Sequence, residues 1–248
     1  MPESVLSVRN LTAGYNGVQA VRDLSFEVAP GEVVALLGPN GAGKTTALLS
    51  IVGLLPLMAG SVEALGEPVR HNQTHRLARR GVMLVPDDRG VFFGLSVRDH
   101  FRLARRQPDQ AREEAVLDRF PALRELKGRR AGLLSGGEQQ MLTIAKALLA
   151  QPQVLMIDEM SLGLAPKIVQ EMLPSIRDLA KEEGIGLVLV EQHIELALSV
   201  ADRGIILNHS RVVLDAPAAD LLANRSEVES AYFGVDDYAD VGGEMLPS

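Results

Sequence analysis

The sequence predicts an α/β fold on a parallel sheet, with an antiparallel β portion in front of it and a helical portion inserted into it. Three stretches carry that expectation. Glu32-Val33-Val34-Ala35-Leu36-Leu37 is an apolar run of the buried-strand type, and Thr45 to Val52, after a glycine-rich segment, reads as a helix. Val82-Met83-Leu84-Val85 is a second such run, ending at Pro86-Asp87. Val154-Leu155-Met156-Ile157 is a third, closed by Asp158-Glu159, so that carboxylates stand at the C-terminal end of a buried parallel strand.

The segment between the first strand and its helix, Gly38-Pro39-Asn40-Gly41-Ala42-Gly43-Lys44-Thr45, fits G-x-x-x-x-G-K-[ST], the phosphate-binding P-loop. Its glycines let the backbone fold around a polyphosphate and aim N–H groups inward, while the helix N-terminus adds positive potential. Lys44 reaches the outer phosphates, Thr45 holds magnesium, and Gly38, Asn40, Gly41, Ala42, Gly43 and Thr46 complete the nucleotide cradle. In a protein with this loop, acids at the end of a later strand are where metal chemistry happens. Asp158 is the expected magnesium ligand and Glu159 the general base for the attacking water.

Around these anchors the chain reads in order. Val5-Leu6-Ser7-Val8 and Leu24-Ser25-Phe26-Glu27-Val28 are short strands, with Tyr15 in the loop between them, and Pro30-Gly31 turns the chain into the P-loop strand. On spacing alone Tyr15 is an ordinary half-buried aromatic, though its ring is able to stack on a base. Gly53 and Pro56 close the P-loop helix, and Ser61-Val62-Glu63 is a brief strand. Ser96 with Asp99 opens a helix to Arg106, and Gln110 to Phe120 is another, so 90–133 is a helical insertion. Leu134-Ser135-Gly136-Gly137-Glu138 has the S-x-x-E spacing of a helix start. By itself that is an ordinary N-cap, but two bare glycine amides beside a hydroxyl also suit an anion. Pro166 to Glu183 is an amphipathic helix, Gly186 to Val190 a core strand ending in Glu191-Gln192-His193, and Ile194 to Ala201 a helix. Ile205-Ile206-Leu207 and Val212-Val213-Leu214 form a hairpin across the four residues 208–211, and short helices follow to Phe233. The tail 236–248 holds four acids and no bases and reads as mobile.

Composition limits the function classes. The 248 residues are 46% hydrophobic, enough for a real core, and no apolar run approaches the roughly 20 residues that cross a bilayer. No basic segment followed by an apolar one opens the chain, so the expectation is a cytoplasmic protein without a secretory signal. Zero cysteines exclude disulfides and cysteine-held metals, and the five histidines show no ligand spacing. A formal charge of −7 argues against nucleic acid as a partner. Locally, 70–106 carries nine arginines against three acids, which makes either a docking face or a solvated helix surface.

The P-loop, Leu134-Ser135-Gly136-Gly137-Glu138 and Leu155-Met156-Ile157-Asp158-Glu159, in that order, resemble the nucleotide-binding subunits of ATP-binding cassette (ABC) transporters along nearly the whole chain. The resemblance implies a P-loop NTPase (RecA-like) core over 1–89 and 134–235, with the N-terminal antiparallel β subdomain and the helical subdomain of 90–133. It makes Ser135-Gly136-Gly137 the signature motif, Ser161-Leu162-Gly163-Leu164-Ala165 the D-loop, and Tyr15 the adenine-stacking aromatic. It further implies a head-to-tail dimer in which the signature of one subunit serves the ATP of the other, and a permease partner docked on the helical insertion and the Asp87 loop.

Gly132 to Leu142, Ser161 to Pro166 and Val190-Glu191-Gln192 are similar to the branched-chain amino acid uptake cassettes, whose systems pair two different cassettes and draw on a solute-binding protein. Such a subunit would sit on the inner face of the cell membrane through its permease. Three positions depart from the general family pattern. Asp87 stands at the Q-loop glutamine position, where the resemblance makes it a metal contact, Met160 replaces a proline, and Gln192 aligns with the switch histidine while His193 comes one residue late. Asp87 and Gln192 keep open a second reading, a module that closes on ATP but hydrolyses it slowly. The arginines of 70–106 motivate a third, a soluble ABC ATPase acting on nucleic acid, yet the chain has neither the second cassette nor the coiled coil usual there.

Overall fold

The computed structural model describes residues 4–233 apart from 106, 108, 162, 163 and 165. The 236–248 tail, Arg106 and three of the five D-loop positions therefore lie outside the described residues.

Leu6–Tyr15 (β1) and Val18–Val28 (β2) form a long antiparallel hairpin that places Tyr15 opposite Val18 and Leu6 opposite Val28. The short strands and the loop around Tyr15 expected from sequence are thus corrected: both strands run to the turn. Asn16 and Gly17 occupy it with φ of 51° and 83°, the left-handed pair of a type I′ turn, which Asn-Gly favours. Register shifts between Val8 and Gly14 break the alternation of β1, which hid its length from a period-two reading.

Val33–Leu37 (β3) leads into Lys44–Ile51 (α1). Leu57–Ala64 (β4) then pairs with β1 and the short Glu67–Pro68 (β5), giving a sheet of order β2-β1-β4-β5. Thr74–Arg80 (α2), absent from the sequence reading, precedes Val82–Val85 (β6). Val97–Ala104 (α3), Gln110–Arg119 (α4) and Pro121–Glu125 (α5) form the helical insertion, and Gly136–Leu149 (α6) returns the chain to the core. Both capping boxes form as the sequence requires: Ser96 with Asp99 opens α3, and Ser135 with Glu138 opens α6.

Val154–Asp158 (β7), Pro166–Glu183 (α7), Gly186–Glu191 (β8), Ile194–Leu198 (α8), Arg203–Asn208 (β9), Arg211–Pro217 (β10), Ala218–Ala223 (α9) and Arg225–Phe233 (α10) complete the described chain. The β9–β10 connection is two residues, not four. His209 and Ser210 take φ of 45° and 67° there, so the strands extend right up to a tight turn.

The second sheet has the order β10-β9-β3-β8-β7-β6, parallel except for β10. Its central strands β3, β8 and β7 are buried on both faces, whereas the edge strand β10 is partly exposed along its length, and period-two alternation sorts the central side chains between two cores. Val33, Ala35, Leu155, Ile157, Leu187 and Leu189 face the helical side with residues of α6 and α7. Val34, Leu36, Val154, Met156, Val188 and Val190 face the antiparallel sheet and α1. Each fully buried Leu or Ile contributes about 1.5–3 kcal/mol, so this doubly covered sheet is the rigid platform of the molecule. Arg112 of α4 fastens the insertion to it, bonding the Leu148 carbonyl and pairing with Glu183.

One core polar group has a definite protonation state. His100 is fully buried, its Nε2 accepts the Phe92 N–H at 2.9 Å, and its Nδ1 therefore carries the proton facing the Ser96 carbonyl at 2.8 Å. Burial lowers its pKa below 6.5, with the Ser96 carbonyl opposing and Lys146 adding to the effect. The fold thus favours neutral imidazole. The stability tied to this group is whole above the unfolded value and is lost as pH falls through it toward the lower folded value. We expect His100→Gln, which keeps an acceptor for Phe92 but does not titrate, to flatten the loss of stability between about pH 7.5 and 5.5. Urea unfolding at the two pH values measures it, and equal slopes for wild type and variant would remove His100 as the cause.

Candidate active site

Parallel pairing brings the ends of four strands to one edge. Leu37 lies beside Glu191, Asp158 beside Val190, and Val85 beside Ile157, so the loops after β3, β8, β7 and β6 emerge together. The loop after β3 is clamped between the two sheets. A Cβ on Gly38 would stand 2.2 Å from the Leu207 carbonyl of β9, and one on Gly43 (φ 103°) 2.2 Å from the Ala20 carbonyl of β2. Gly41 has open space but φ of 82°, so there the backbone alone requires glycine. Ala42 and Thr46 are buried beneath the loop, whereas Asn40, Gly41 and Thr45 face outward.

Lys44 begins α1 with its ammonium buried. It donates to the Gly38 carbonyl at 2.8 Å and the Pro39 carbonyl at 3.1 Å, and lies 3.8 Å from Glu159 Oε1. Burial lowers its pKa, and the charges of Glu159, Asp158 and Glu191 counter that. Glu159 turns toward it because the chain leaves β7 through a left-handed residue, φ 45°, with the Glu159 N–H on the Val190 carbonyl. Such a backbone in a non-glycine residue costs of order 1–3 kcal/mol and persists only where the surroundings hold it. Met160, next in the chain, is fully buried in the helical-side core, which supplies part of that hold.

Asp158 is nearly inaccessible, and its Oδ1 has no hydrogen-bond partner. Burial pushes the carboxyl up to about 6. The Thr45 hydroxyl beside it opposes that shift, Glu159 and Asp87 add to it, and Lys44 opposes it. Asp87 itself is exposed in the loop after β6.

The structure corrects the end of β8, which runs through Glu191, so Gln192 is the first residue after the strand rather than the second. Gln192 is half-buried at this edge, and His193 is exposed at the N-cap of α8. Two contacts here escaped sequence reasoning. The fully buried Glu191 carboxylate accepts the Ser161 N–H at 2.9 Å and the Ser161 hydroxyl at 2.5 Å, joining the segment after Glu159 to the segment before Gln192. Burial raises its pKa and the Ser161 contacts oppose the rise. An acid closing an otherwise apolar strand was the available sign of it. Tyr232 of α10 reaches Gly38 and Gln192 from a distant part of the chain, which no local pattern announces.

Ser135 is exposed at the start of α6, and among the described residues no hydrogen bond or ion pair joins Ser135–Gly137 to the P-loop. The motif is tied instead to the loop after β6. Arg89 bonds Gln139, the Thr143 hydroxyl donates to the Arg89 carbonyl at 2.6 Å, and Lys146 donates to the Gly90 carbonyl at 2.7 Å. Tyr15, half exposed, stands at the tip of the hairpin whose Ala20 carbonyl meets Gly43, which puts that tip beside the loop. The arginine-rich segment is partly spent on internal contacts: Arg80 pairs with Glu67, Arg102 with Asp99 and Arg105 with Glu113.

A phosphate-cradling loop facing two strand-end acids is shared by many nucleotide-binding proteins. The family model described as ABC transporter matches residues 21–161. The chain belongs to that family. ABC proteins similar to it include the high-affinity branched-chain amino acid transport ATP-binding protein BraG of Pseudomonas aeruginosa, 39% identical over 93% of this chain and 100% of the relative. The probable branched-chain amino acid transport ATP-binding protein LivF of Archaeoglobus fulgidus is 33% identical over 94% of this chain and 100% of its own. A solved ATP-binding subunit of an ABC transporter superposes with a TM-score of 0.79 at 27% identity, covering 94% of this chain and 99% of that one. This chain is accordingly an ABC ATPase, and the domain binds ATP. No helix among the described residues is long and apolar enough to cross a membrane.

Proposed function

We propose that this ABC ATPase powers an importer for branched-chain or related amino acids, acting through separate permease subunits on the inner face of the cell membrane. The substrate class rests on the likeness to BraG and LivF over the full length of both relatives. The catalytic reading rests on one observation above the others: Glu159, held in a left-handed conformation, aims its carboxylate at the lysine of the phosphate loop beside an unpartnered Asp158 oxygen.

In this reading Gly38, Asn40, Gly41, Ala42, Gly43, Lys44, Thr45 and Thr46 cradle the phosphates, and Tyr15 stacks on the adenine. Lys44 exchanges its two loop carbonyls for the outer phosphates. Glu159 is then freed of its ammonium neighbour and takes a proton from the attacking water, while Gln192 offers an uncharged amide to the γ-phosphate end.

The site fits magnesium. Asp158 Oδ1 is a buried acceptor without a donor, the Thr45 hydroxyl lies beside the same carboxyl, and the Asp87 charge is close enough to act on it. Among the described residues no three acids or histidines gather into a metal site, which suits a cation that arrives with the nucleotide's own oxygens. Thr45 and Asp158 would hold it, with Asp87 nearby, and when bound it supplies positive charge against the phosphate oxygens.

Ser135 is exposed and Gly136 partly so, while Gly137 is buried against Ile168, and among the described residues no hydrogen bond or ion pair joins them to this chain's P-loop, which supports their service to a partner cassette's ATP. That partner is a second copy or, as in related uptake systems, a similar cassette. The permease would dock in the groove between the core and the insertion. There a cavity of about 320 Å³ opens between Met83, Pro86, Leu103, Ala104 and Ala147, next to the Asp87 loop. A solute-binding protein would deliver the cargo from the other side.

Three tests follow from these assignments. Glu159→Gln is expected to bind ATP normally, lose about 10²- to 10⁴-fold of its turnover and accumulate as a closed dimer; undiminished turnover removes Glu159 from the role. Ser135→Arg should leave ATP binding to the monomer intact while abolishing the ATP-dependent dimer seen by light scattering. A dimer that persists makes Ser135 only a helix cap. Deleting the gene should abolish uptake of labelled leucine, isoleucine and valine, and preserved uptake of all three would overturn the substrate class.

A further inference from the structure

Tyr232 brings the last described helix into the nucleotide site. Its ring is buried in the helical-side core, and its hydroxyl lies 3.1 Å from the Gly38 carbonyl and 3.4 Å from the Gln192 carbonyl. The helix end is anchored there: the buried Asn208 amide at the end of β9 donates to the Ala231 and Tyr232 carbonyls, at 2.8 and 3.3 Å. Leu207, the neighbour of Asn208, is the residue whose carbonyl leaves no room for a side chain at Gly38. The start of the phosphate loop, the end of β9 and the end of α10 are therefore one packed unit.

The phenol has one proton and faces two acceptors. In this structure the Gly38 carbonyl also accepts from Lys44 at 2.8 Å, so the phenol proton is shared between a carbonyl that already has a donor and the Gln192 carbonyl, for which it makes the longer contact. Gly38 is buried, so its carbonyl has no water to turn to when the ammonium leaves. We propose that Tyr232 is a positioning residue for nucleotide binding: its hydroxyl takes over the Gly38 carbonyl when Lys44 swings to the phosphates, and in doing so releases the carbonyl of Gln192. The hand-off keeps the loop in shape in the nucleotide-bound state. It also links arrival of the phosphates to the freedom of the segment at Gln192. This rests on the reading that Lys44 contacts the phosphates.

The consequence is asymmetric between the two states. Without nucleotide, Lys44 satisfies Gly38 whether or not the hydroxyl is present. With nucleotide, the phosphates compete for the ammonium's three donors, and the hydroxyl becomes the surer partner of the Gly38 carbonyl. Tyr232→Phe keeps the ring and removes the oxygen, so it should leave the Tm of the nucleotide-free chain within about 2 °C of wild type. It should also weaken binding of the magnesium complex of a non-hydrolysable ATP analogue by about 3- to 10-fold, the size of one net hydrogen bond, and raise the KM for ATP in step.

Titration calorimetry and thermal melts of the full-length chain read both. Unchanged affinity overturns the proposal. So does a loss of affinity accompanied by a fall of more than about 4 °C in the nucleotide-free Tm, because that marks a packing role rather than a hand-off. Lys44→Ala in the same titration keeps the two readings apart. If that variant binds as tightly as wild type, the placement of Lys44 on the phosphates is what fails, whereas the Tyr232→Phe result still reports the hydroxyl.

Discussion

Close approach of backbones at Gly38 and Gly43 is the constraint on which the site depends. Each glycine stands where a single methyl group would meet a carbonyl oxygen at 2.2 Å, one from β9 and the other from β2. The phosphate loop is thereby fixed against both sheets at once. The in-register parallel strands fix the acids relative to that loop, since Asp158 and Glu191 are the last residues of β7 and β8. Helix position matters less here than strand register, because a slip of one residue would turn Asp158 to the opposite face.

Burying this much charge is costly unless charges and donors answer one another. Glu191 is answered by Ser161, and Lys44 by two carbonyls and Glu159. Asp158 is answered least: burial pushes its carboxyl up to about 6 and its Oδ1 lacks a donor, so it is suited to a ligand that brings positive charge. Among the described residues the charges around the lysine are thus answered, and the Asp158 Oδ1 is not.

Much of this was legible in the sequence, and the reasons are local. The runs Val33–Leu37 and Val154–Asp158 are continuous because their strands are buried on both faces, Val82–Val85 at the sheet edge is half-buried in its middle, and such runs bounded by Gly, Pro or acids mark their own ends. The two Ser-x-x-acid pairs named helix starts that formed as capping boxes. What failed were features set by non-adjacent contacts. The bulged β1 lost its alternation, and the hairpin at Asn16-Gly17 was passed over although the residue pair announces it. α2, with only Leu77 buried, shows little periodicity to read. At the site, the P-loop and the strand-end acids come from short stretches and could be found. Glu191–Ser161 joins residues thirty apart and Tyr232–Gly38 joins residues 194 apart, so only the fold reveals them.

The three bonds between the loop after β6 and α6 have a mechanical meaning. Arg89 and Gly90 rivet that loop, through Gln139, Thr143 and Lys146, to the first, middle and last turns of a 14-residue helix whose first residues follow Ser135. At 1.5 Å per residue, Ser135 lies about 12 Å along the axis from Thr143, so a tilt of about 10° about the rivets carries it sideways by about 2 Å. That is about two-thirds of the donor–acceptor length of a hydrogen bond. On the proposed function, a push delivered beside Asp87 would become, without any further device, the difference between making and missing a contact at the far end of the lever.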